Sequence, residues 1–363
     1  MEREIWETKG KSLVVGKLPT GCQLCIDGKK MVLFITGLCT AKCFYCPLSE
    51  KRRWKDVIYA NERKITKIEE AIEEAKIMKA EGTGITGGDP LIVLPRTIKA
   101  IKLLKNEFGE EHHIHLYTNA IHLTREKAIK MKKAGLDELR IHPIRTRDIY
   151  KVAIGKKAKL TTGIEIPAIP GREEEIKRML KKLEKLKADF ININELEFSS
   201  TNALNLKMRG LKLKDGSITA VEGSEEEAIR ILEWAAKNTN LNVHYCPSRL
   251  KDQVQLKNRL KRRAHQIALK HEKITDEGLI IKGIIEVKEK INLNDVYNKI
   301  LNKYKLSEEE IIINKSKRRI ETSIETAVKI AKDKKLNKIL NIFIVEEYPT
   351  DQRLEVTRTP LSK

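Results

Sequence analysis

The chain has 363 residues, enough for two to three domains at about 100–200 residues each. Apolar residues make up 40% and charged residues 34%, which supports a packed core and excludes wholesale disorder. No apolar run approaches the ~20 residues that span a bilayer, and the N-terminus has neither a signal h-region nor an Arg/Ser-rich transit pattern. We therefore expect a cytoplasmic protein without a membrane partner.

Short β-branched runs alternate with amphipathic Lys/Glu-rich stretches over the first two thirds of the chain, as in βα units around a parallel sheet. The predicted strands cover 31–36, 82–87, 113–119, 138–143, 162–168, 194–199 and 241–246. The predicted helices between them cover 66–80, 95–108, 124–134, 172–187 and 224–237. This pattern predicts an α/β fold, a complete or partial TIM-type barrel with functional side chains at the carboxyl ends of its strands.

The net charge of +21 is unevenly spread. Residues 249–273 hold nine bases and two acids, a third of the net charge, and 248–272 is predicted as an amphipathic helix. Its cationic face indicates either a solvated structural helix or a contact with RNA or another polyanion. The residues of that second interpretation are Arg249, Lys257, Arg259, Lys261, Arg262 and Arg263.

The last part of the chain changes to a strand–helix–strand–helix–strand pattern, which predicts a separate small α/β domain. Its elements are expected at 279–287, 295–304, 310–315, 323–332 and 341–347. The expected division is a lead-in at 1–30, a barrel at 31–247, a basic helical connector at 248–274 and a C-terminal domain at 275–363.

Five of the six cysteines fall within 25 residues, a density that favours metal or redox chemistry over a disulfide framework. Cys39, Cys43 and Cys46 follow the first predicted barrel strand with the spacing Cys-x3-Cys-x2-Cys. Three thiolates on one loop bind three irons of a [4Fe–4S] cube and leave the fourth iron without a protein ligand. Such an open metal position is what a catalytic site needs. The alternatives are a zinc site with a remote ligand and reduced core cysteines.

This loop resembles the hallmark of the radical S-adenosylmethionine (SAM) superfamily, in which Cys-x3-Cys-x-aromatic-Cys follows the first barrel strand, with Tyr45 here at the aromatic position. The resemblance implies a partial (β/α) barrel of the radical SAM kind, a [4Fe–4S] cluster on the three cysteines, and SAM on the open iron. It also implies reductive cleavage of SAM to methionine and a 5′-deoxyadenosyl radical. The electron would come from a reductase or a ferredoxin- or flavodoxin-like donor.

Later motifs extend the resemblance to about residues 31–246. The turn Gly87-Gly88-Asp89-Pro90 is similar to the family's Gly-Gly-Glu-Pro motif at the SAM amino group, with Asp in place of Glu. Thr118-Asn119 is similar to the family's frequent Thr-Asn, and 167–171 is similar to the stretch whose backbone holds the adenine. The residues expected at SAM are Tyr45, Gly87, Gly88, Asp89, Asn119, Ile169 and Gly171.

Two further groups of metal-ligand residues lie outside the loop. Cys22 and Cys25 form a CxxC before the first barrel strand, and His244 and Cys246 end the last one. Because CxxC supplies half of a tetrahedral site, the four residues predict a second metal site, zinc or iron–sulfur, if the last strand comes near the lead-in. Separate half-buried thiols and a redox CxxC are the alternatives.

These features predict a radical SAM enzyme that abstracts hydrogen from a substrate. The basic helix and the C-terminal domain favour RNA as that substrate. The likeness to activating enzymes of the pyruvate formate-lyase-activating kind favours a protein glycyl residue or a small molecule. A metal-structured RNA-binding protein without catalysis is the alternative from another class. No residue is assigned to the substrate.

Overall fold

A computed structural model describes residues 2–288 and 291–361, apart from the side chain of Asp252. The chain divides into two compact units, 1–256 and 257–363. Among the described residues, no helix combines the length and the apolar character needed to cross a membrane.

The first unit contains eleven strands and eight α-helices in its described residues. The strands are β1 (Ile5–Glu7), β2 (Leu13–Val15), β3 (Lys30–Phe34), β4 (Ile58–Ala60), β5 (Arg63–Ile65), β6 (Gly82–Thr86), β7 (His113–Thr118), β8 (Glu138–Ile141), β9 (Thr161–Ala168), β10 (Phe190–Glu195) and β11 (Asn242–Cys246). The helices are α1 (Thr20–Ile26), α2 (Glu70–Ile77), α3 (Leu94–Phe108), α4 (Arg125–Ala134), α5 (Val152–Lys157), α6 (Glu173–Lys185), α7 (Ala203–Lys207) and α8 (Ser224–Asn238). A π-helical segment, Leu250–Leu256, ends the unit.

Seven parallel strands form the centre of this unit, in the order β3-β6-β7-β8-β9-β10-β11. The sheet continues antiparallel through β4 and β5 on one side and through β2 and β1 on the other. Within the described strands, β3 and β11 are not paired with each other, so the barrel is open on that side. The expected α/β fold with a partial barrel is confirmed.

Alternation along the strands separates an apolar outer face from a polar lumen. Leu33, Ile85, Leu116 and Ile164 belong to the main hydrophobic core outside the barrel. Their neighbours on the opposite face line the lumen, and many are polar: Lys30, Tyr117, Arg140, Glu165, Asn192, Asn194 and His244. Buried charged groups are costly unless they are paired or meet a ligand, so this lumen is the part of the fold to search for function.

The structure corrects two predicted elements of this unit. The sixth barrel strand lies at Phe190–Glu195, not at 194–199, because Phe190 and Ile191 pair with β9 and are buried. The single basic helix expected at 248–272 is a π-helical segment followed by α9 (Lys257–Ile267). The division between the two compact units falls between these two segments.

The second unit is an antiparallel sheet covered by helices. It contains α9, β12 (Lys273–Ile274), β13 (Ile280–Val287), α10 (Leu293–Tyr304), β14 (Ile311–Asn314), β15 (Arg319–Thr322), α11 (Ile324–Ala331), α12 (Lys334–Asn337), β16 (Leu340–Glu347) and β17 (Glu355–Pro360). The strand order is β14-β15-β13-β16-β17, with β12 paired to β13. Ile285, Ile300, Ile320 and Ile330 lie in its hydrophobic core. The expected small α/β domain is thus present, with β12, β15 and β17 added to the three predicted strands.

Candidate active site

A cavity of about 280 Å³ lies at the carboxyl ends of β3, β6 and β7. The three cysteines of the loop after β3, Cys39, Cys43 and Cys46, all line it. Residues expected at SAM that share the cavity are Tyr45, Gly87, Gly88 and Asn119. Functional side chains are thus collected at the strand ends, where barrel enzymes carry their active sites.

Hydrogen-bond donors surround the sulfur of Cys39. It accepts the backbone N–H of Ala41 at 3.4 Å and the side-chain Nδ2 of Asn119 at 3.5 Å. Burial raises the pKa of the Cys39 and Cys43 thiols, so both are neutral until a metal binds. Metal binding would then release protons, and the donors on Cys39 would stabilise the resulting thiolate.

The turn after β6 lies directly against the cysteine loop. The N–H of Gly88 donates to the carbonyl of Thr36 at 2.8 Å, and the N–H of Asp89 donates to the carbonyl of Leu38 at 2.8 Å. A Cβ atom at Gly87 would clash with the Thr36 oxygen, and one at Gly88 would clash with the Leu38 oxygen. Only glycine allows this close approach of the two backbones.

Asp89 occupies a different position from the one expected. Its Oδ1 accepts hydrogen bonds from the N–H of Leu91 at 3.1 Å and the hydroxyl of Thr118 at 2.8 Å. The side chain is fully buried, and burial raises its pKa. Asp89 caps the 3₁₀ turn Pro90–Val93 and is not among the residues that line the cavity. Oδ1 of Asp89 thus positions this turn, whereas Oδ2 has no hydrogen-bond partner among the described residues, and a contact between this carboxylate and SAM stays a prediction.

The hydroxyl of Tyr45 is linked through His142 to the backbone of strand β9 by two hydrogen bonds. The Nδ1 of His142 lies 2.8 Å from the carbonyl of Glu165, which can only accept, so this nitrogen carries the proton. The Nε2 therefore accepts the hydroxyl proton of Tyr45 at 2.7 Å. Burial lowers the pKa of His142, which keeps the ring neutral. These hydrogen bonds fix the orientation of Tyr45 between two cavities.

The second of these cavities, of about 550 Å³, contacts the first at Cys43, Tyr45 and Ile144. Ile169, expected at the adenine, lines it together with Ile176 and Met179, so the wall is partly apolar. Gly171 is not among the residues of either cavity. Its N–H donates to the Glu227 carboxylate at 2.5 Å and fixes the loop that carries Ile169.

A third cavity, of about 350 Å³, fills the lumen below the first. The two share Thr86, Tyr117, Glu165 and Asn194 as wall residues. The four residues expected at a second metal all line this lumen cavity: Cys22, Cys25, His244 and Cys246. The condition set from the sequence, that the last strand comes near the lead-in, is met in the structure.

One other group of ligand-type side chains is close-packed. His271, Glu272 and Glu321 place ligand atoms within 4.8 Å of one another, as no other such group does among the described residues. The ammonium of Lys282 lies 2.9 Å from Glu272 and 2.6 Å from Glu321. A cation of the protein itself therefore already neutralises these two carboxylates.

The basic residues considered for a polyanion contact are engaged within the chain. Lys257 pairs with Glu277 at 2.9 Å, and Lys261 pairs with Asp276 at 3.8 Å. The buried Arg263 pairs with Asp351 at 2.6 Å. Of the other three, Arg249 lies 3.7 Å from Glu225, Arg259 is buried and Arg262 is half-buried. Such pairing is typical of structural charges, and the contact with RNA or another polyanion stays a prediction.

A partial barrel with three thiols, a Gly-Gly turn and an asparagine amide at its carboxyl edge defines a metalloenzyme class that binds an iron–sulfur cluster beside a small cofactor. A family model described as the Radical SAM superfamily matches residues 33–193, and a domain of unknown function, DUF8061, matches residues 278–361. The chain belongs to the radical SAM superfamily, whose enzymes use a [4Fe–4S] cluster and SAM. The non-catalytic alternative considered from the sequence is therefore wrong.

A Methanocaldococcus jannaschii protein named "Putative glycyl-radical enzyme activating enzyme MJ0021" is 42% identical over 356 residues, 95% of this chain and 93% of that protein. Among solved structures, Streptococcus suis SuiB bound to the precursor peptide SuiA is 12% identical with a TM-score of 0.46, over 62% of this chain and 51% of that one. Methylornithine synthase (PylB) is 13% identical with a TM-score of 0.41, over 57% of this chain and 65% of that one. The chain thus spans about half to two thirds of these solved chains.

Proposed function

We propose that this enzyme activates a partner protein by removing a hydrogen atom from one of its glycyl residues. The observation that carries the proposal is the cavity that unites Cys39, Cys43 and Cys46 with the Gly87-Gly88 turn and Asn119. The name of the 42% identical relative supports glycyl chemistry, and that relative is matched over nearly its whole length.

The residues fit the cofactors of the family. Three half-buried thiols line one cavity, and no fourth cysteine does so among the described residues, which suits a cluster with one iron left for SAM. The donors on the Cys39 sulfur and the side-chain-free Gly-Gly turn suit a thiolate and a close ligand. When bound, the cluster and SAM supply an electron and a 5′-deoxyadenosyl radical.

The side chains of the protein orient the groups at the cofactor site and line its cavity. Asn119 donates to the Cys39 sulfur and also accepts the N–H of Ile121 at 2.8 Å, so its amide orientation is fixed. The neutral His142 holds the Tyr45 ring at the junction of the two cavities that would receive SAM. Pro47, Leu48 and Ile144 give part of the cavity wall an apolar lining at the place where a radical would form.

The proposal also covers the substrate, a glycyl residue of a protein, and the protein that donates the electron. A protein glycyl residue has no side chain and can enter a cavity of about 280 Å³ on an extended loop. RNA is less favoured, because the cations proposed to hold it are paired with acids of this chain. The electron is expected from a reductase or a ferredoxin- or flavodoxin-like protein.

Deuterium transfer tests the substrate class. Cells that contain the protein are grown in heavy water, and their lysate is separated into protein, RNA and small-molecule fractions. Each fraction is incubated anaerobically with the reconstituted enzyme, unlabelled SAM and dithionite, and 5′-deoxyadenosine is analysed by mass spectrometry. We expect deuterium in this product from the protein fraction, and again from protein of cells fed deuterated glycine.

The Cys43→Ala variant serves as the matched control, since it should form no labelled product from any fraction. Transfer from the RNA or the small-molecule fraction without transfer from protein would overturn glycyl activation. Such a result would leave the radical SAM chemistry itself intact.

A further inference from the structure

Helix α1 packs against β3, β6 and β7 and against the π-helical segment 250–256. Gly21 faces the lumen so closely that a Cβ there would clash with the ring of His115 and the guanidinium of Arg140. The CxxC of this helix is therefore held inside the barrel and not on the protein surface.

Three thiols and one imidazole meet in the lumen cavity from two separate elements. Cys22 and Cys25 come from α1, and His244 and Cys246 come from β11. The six cysteines are all free thiols, so no disulfide competes for these sulfurs. A cavity of about 350 Å³ has room for an inorganic group between them.

His244 is oriented as a ligand. Its Nδ1 lies 3.1 Å from Oδ1 of Asn192, whose Nδ2 donates to Cys22 and Glu165, so Nδ1 carries the proton. The Nε2 therefore bears a lone pair, and it has no hydrogen-bond partner among the described residues. The side chain is 2% exposed and lines the cavity. Metal-bound histidines show this arrangement, in which the second ring nitrogen donates to a fixed acceptor.

The surroundings of the thiols favour a negatively charged group. The sulfur of Cys22 accepts hydrogen bonds from Arg140 and Asn192, each at 3.4 Å. Lys30 is 6% exposed and lines the same cavity, where its positive charge acts on the Glu165 carboxylate and helps to lower the pKa of that group. An oxidised iron–sulfur core is a dication, so three thiolates would leave one net negative charge for Lys30 to balance.

We propose that Cys22, Cys25 and Cys246 hold a second iron–sulfur cluster in the barrel lumen, with Nε2 of His244 as the fourth ligand. A single zinc ion fits less well. Zinc–sulfur bonds of about 2.3 Å would hold two thiolates about 3.8 Å apart. No three of these ligand atoms lie within 4.8 Å of one another. The sulfurs of Cys39, Cys43 and Cys46 do not all lie within 4.8 Å of one another either. Such spacing suits an iron–sulfur cluster, whose cysteine ligands lie farther apart than those of a single metal ion.

Metal analysis of a variant without the first site tests the proposal. The Cys39→Ala/Cys43→Ala/Cys46→Ala protein is reconstituted anaerobically with ferrous iron and sulfide, and a parallel sample receives zinc alone. We expect the variant to retain iron, sulfide and visible iron–sulfur absorbance, although it cleaves no SAM. Adding Cys246→Ala should remove most of the iron and sulfide, and adding His244→Ala should shift the absorption and electron paramagnetic resonance spectra.

Adding His265→Ala, an exposed histidine outside the lumen, provides the matched control and should change nothing. Circular dichroism of every variant tests whether the fold is kept. A folded triple variant that retains neither iron nor sulfide overturns the proposal. So does stoichiometric zinc in place of the cluster. Neither result bears on SAM cleavage, which the wild-type protein reports separately.

Discussion

The two units differ in the buried polar groups that they contain, although the described second unit also has buried atoms without a hydrogen-bond partner, Nε2 of His271 and Oδ1 of Asn337. In the second unit, the buried ammonium of Lys282 contacts Glu272, Glu321 and Glu347 at 2.6–3.0 Å, so charge is neutralised by charge. In the first unit, both ring nitrogens of His115, the Nε2 of His244 and one Asp89 oxygen are buried without a partner among the described residues. Such groups are costly, and proteins retain them where a ligand completes them.

The charges within the lumen make the contrast sharper. Arg140 is paired with Glu138 at 2.6 Å and with Glu165 at 3.1 Å, so these three charges of the first unit neutralise one another as well. The imidazoles of His115 and His244 keep buried ring nitrogens without a partner among the described residues. A structural charge network in the second unit thus stands against a lumen in the first unit whose imidazole and thiols carry the proposed metal site.

The largest effect is expected from breaking the network of the second unit. Lys282→Met leaves buried carboxylates uncompensated and should lower the free energy of unfolding by about 3–5 kcal/mol. Urea denaturation followed by circular dichroism measures the change. Lys273→Met, which breaks the exposed pair with Glu325, is the control and should cost less than about 1 kcal/mol. Equal effects of the two variants would contradict a buried network.

Gly88→Ala tests the close contact at the active site. Its Cβ would push the Gly-Gly turn away from the carbonyl of Leu38, and a displacement of about 1 Å costs roughly 100-fold in rate. We expect that loss in 5′-deoxyadenosine formation with the iron content unchanged. Gly210→Ala, where a Cβ meets no atom within 4 Å but the φ of +74° strains the backbone, controls for strain outside the cavity and should keep the rate. Full activity of Gly88→Ala would refute the assigned contact.

The two units should lose stability over different pH ranges on acidification. Burial lowers the pKa of His112 to about 4 and that of His244 to about 3. As the pH falls from 6.5 towards these values, the two histidines bind protons in the unfolded chain before they do so in the folded protein. The folded first unit therefore loses stability over this pH range. Burial raises the pKa of Glu347, but its ion-pair partners outweigh burial and hold the pKa at about 2. The stability that the Glu347 carboxylate contributes is therefore lost only as the pH falls below about 4.5. Burial also lowers the pKa of His271, the one such histidine in the described second unit.

Tryptophan emission reports the first unit alone, because Trp6, Trp54 and Trp234 all lie there. On acidification we expect this emission to change between about pH 6.5 and 4, before the remaining circular dichroism signal is lost. Coincident transitions at lower pH would show that the buried histidines do not weaken the first unit.

Tyr45→Phe should produce the smallest effect. It removes the donor to Nε2 of His142, and such a hydrogen bond contributes about 1 kcal/mol. We expect a several-fold weaker affinity for SAM, measured by equilibrium dialysis on the reconstituted protein, with the cluster spectrum retained. An unchanged affinity would mean that the orientation of Tyr45 does not matter for SAM.

Local patterns in the sequence predict much of this molecule. The cysteine spacing and the alternation of apolar runs depend on neighbouring residues, and the structure shows the barrel and gathers Cys39, Cys43 and Cys46 in one cavity. The sequence analysis placed the strand that begins at Phe190 too late in the chain. Polar and apolar residues alternate on both sides of Asn194, so the sequence pattern alone does not show where the strand begins. The pairing with β9 sets its first residue.

Long-range contacts could not be predicted in the same way. The capping role of Asp89 depends on Thr118, and the support of Tyr45 depends on His142, 97 residues away. The entry of α1 into the lumen depends on the small size of Gly21 against His115 and Arg140. A signal for the lumen did exist, since Arg140, Glu165 and Asn192 place polar side chains on strands that are otherwise apolar.

The central claim is that Cys39, Cys43 and Cys46 hold a cluster that leaves one iron open for SAM. The most direct measurement is the yield of 5′-deoxyadenosine and methionine from SAM, under anaerobic conditions with dithionite, for the reconstituted wild-type protein and for Cys43→Ala. We expect equal amounts of both products from the wild type and none from the variant, while Ser49→Ala on the same loop should behave as the wild type. Product formation by Cys43→Ala, or its absence from an iron-loaded wild type, would contradict an open iron on this loop.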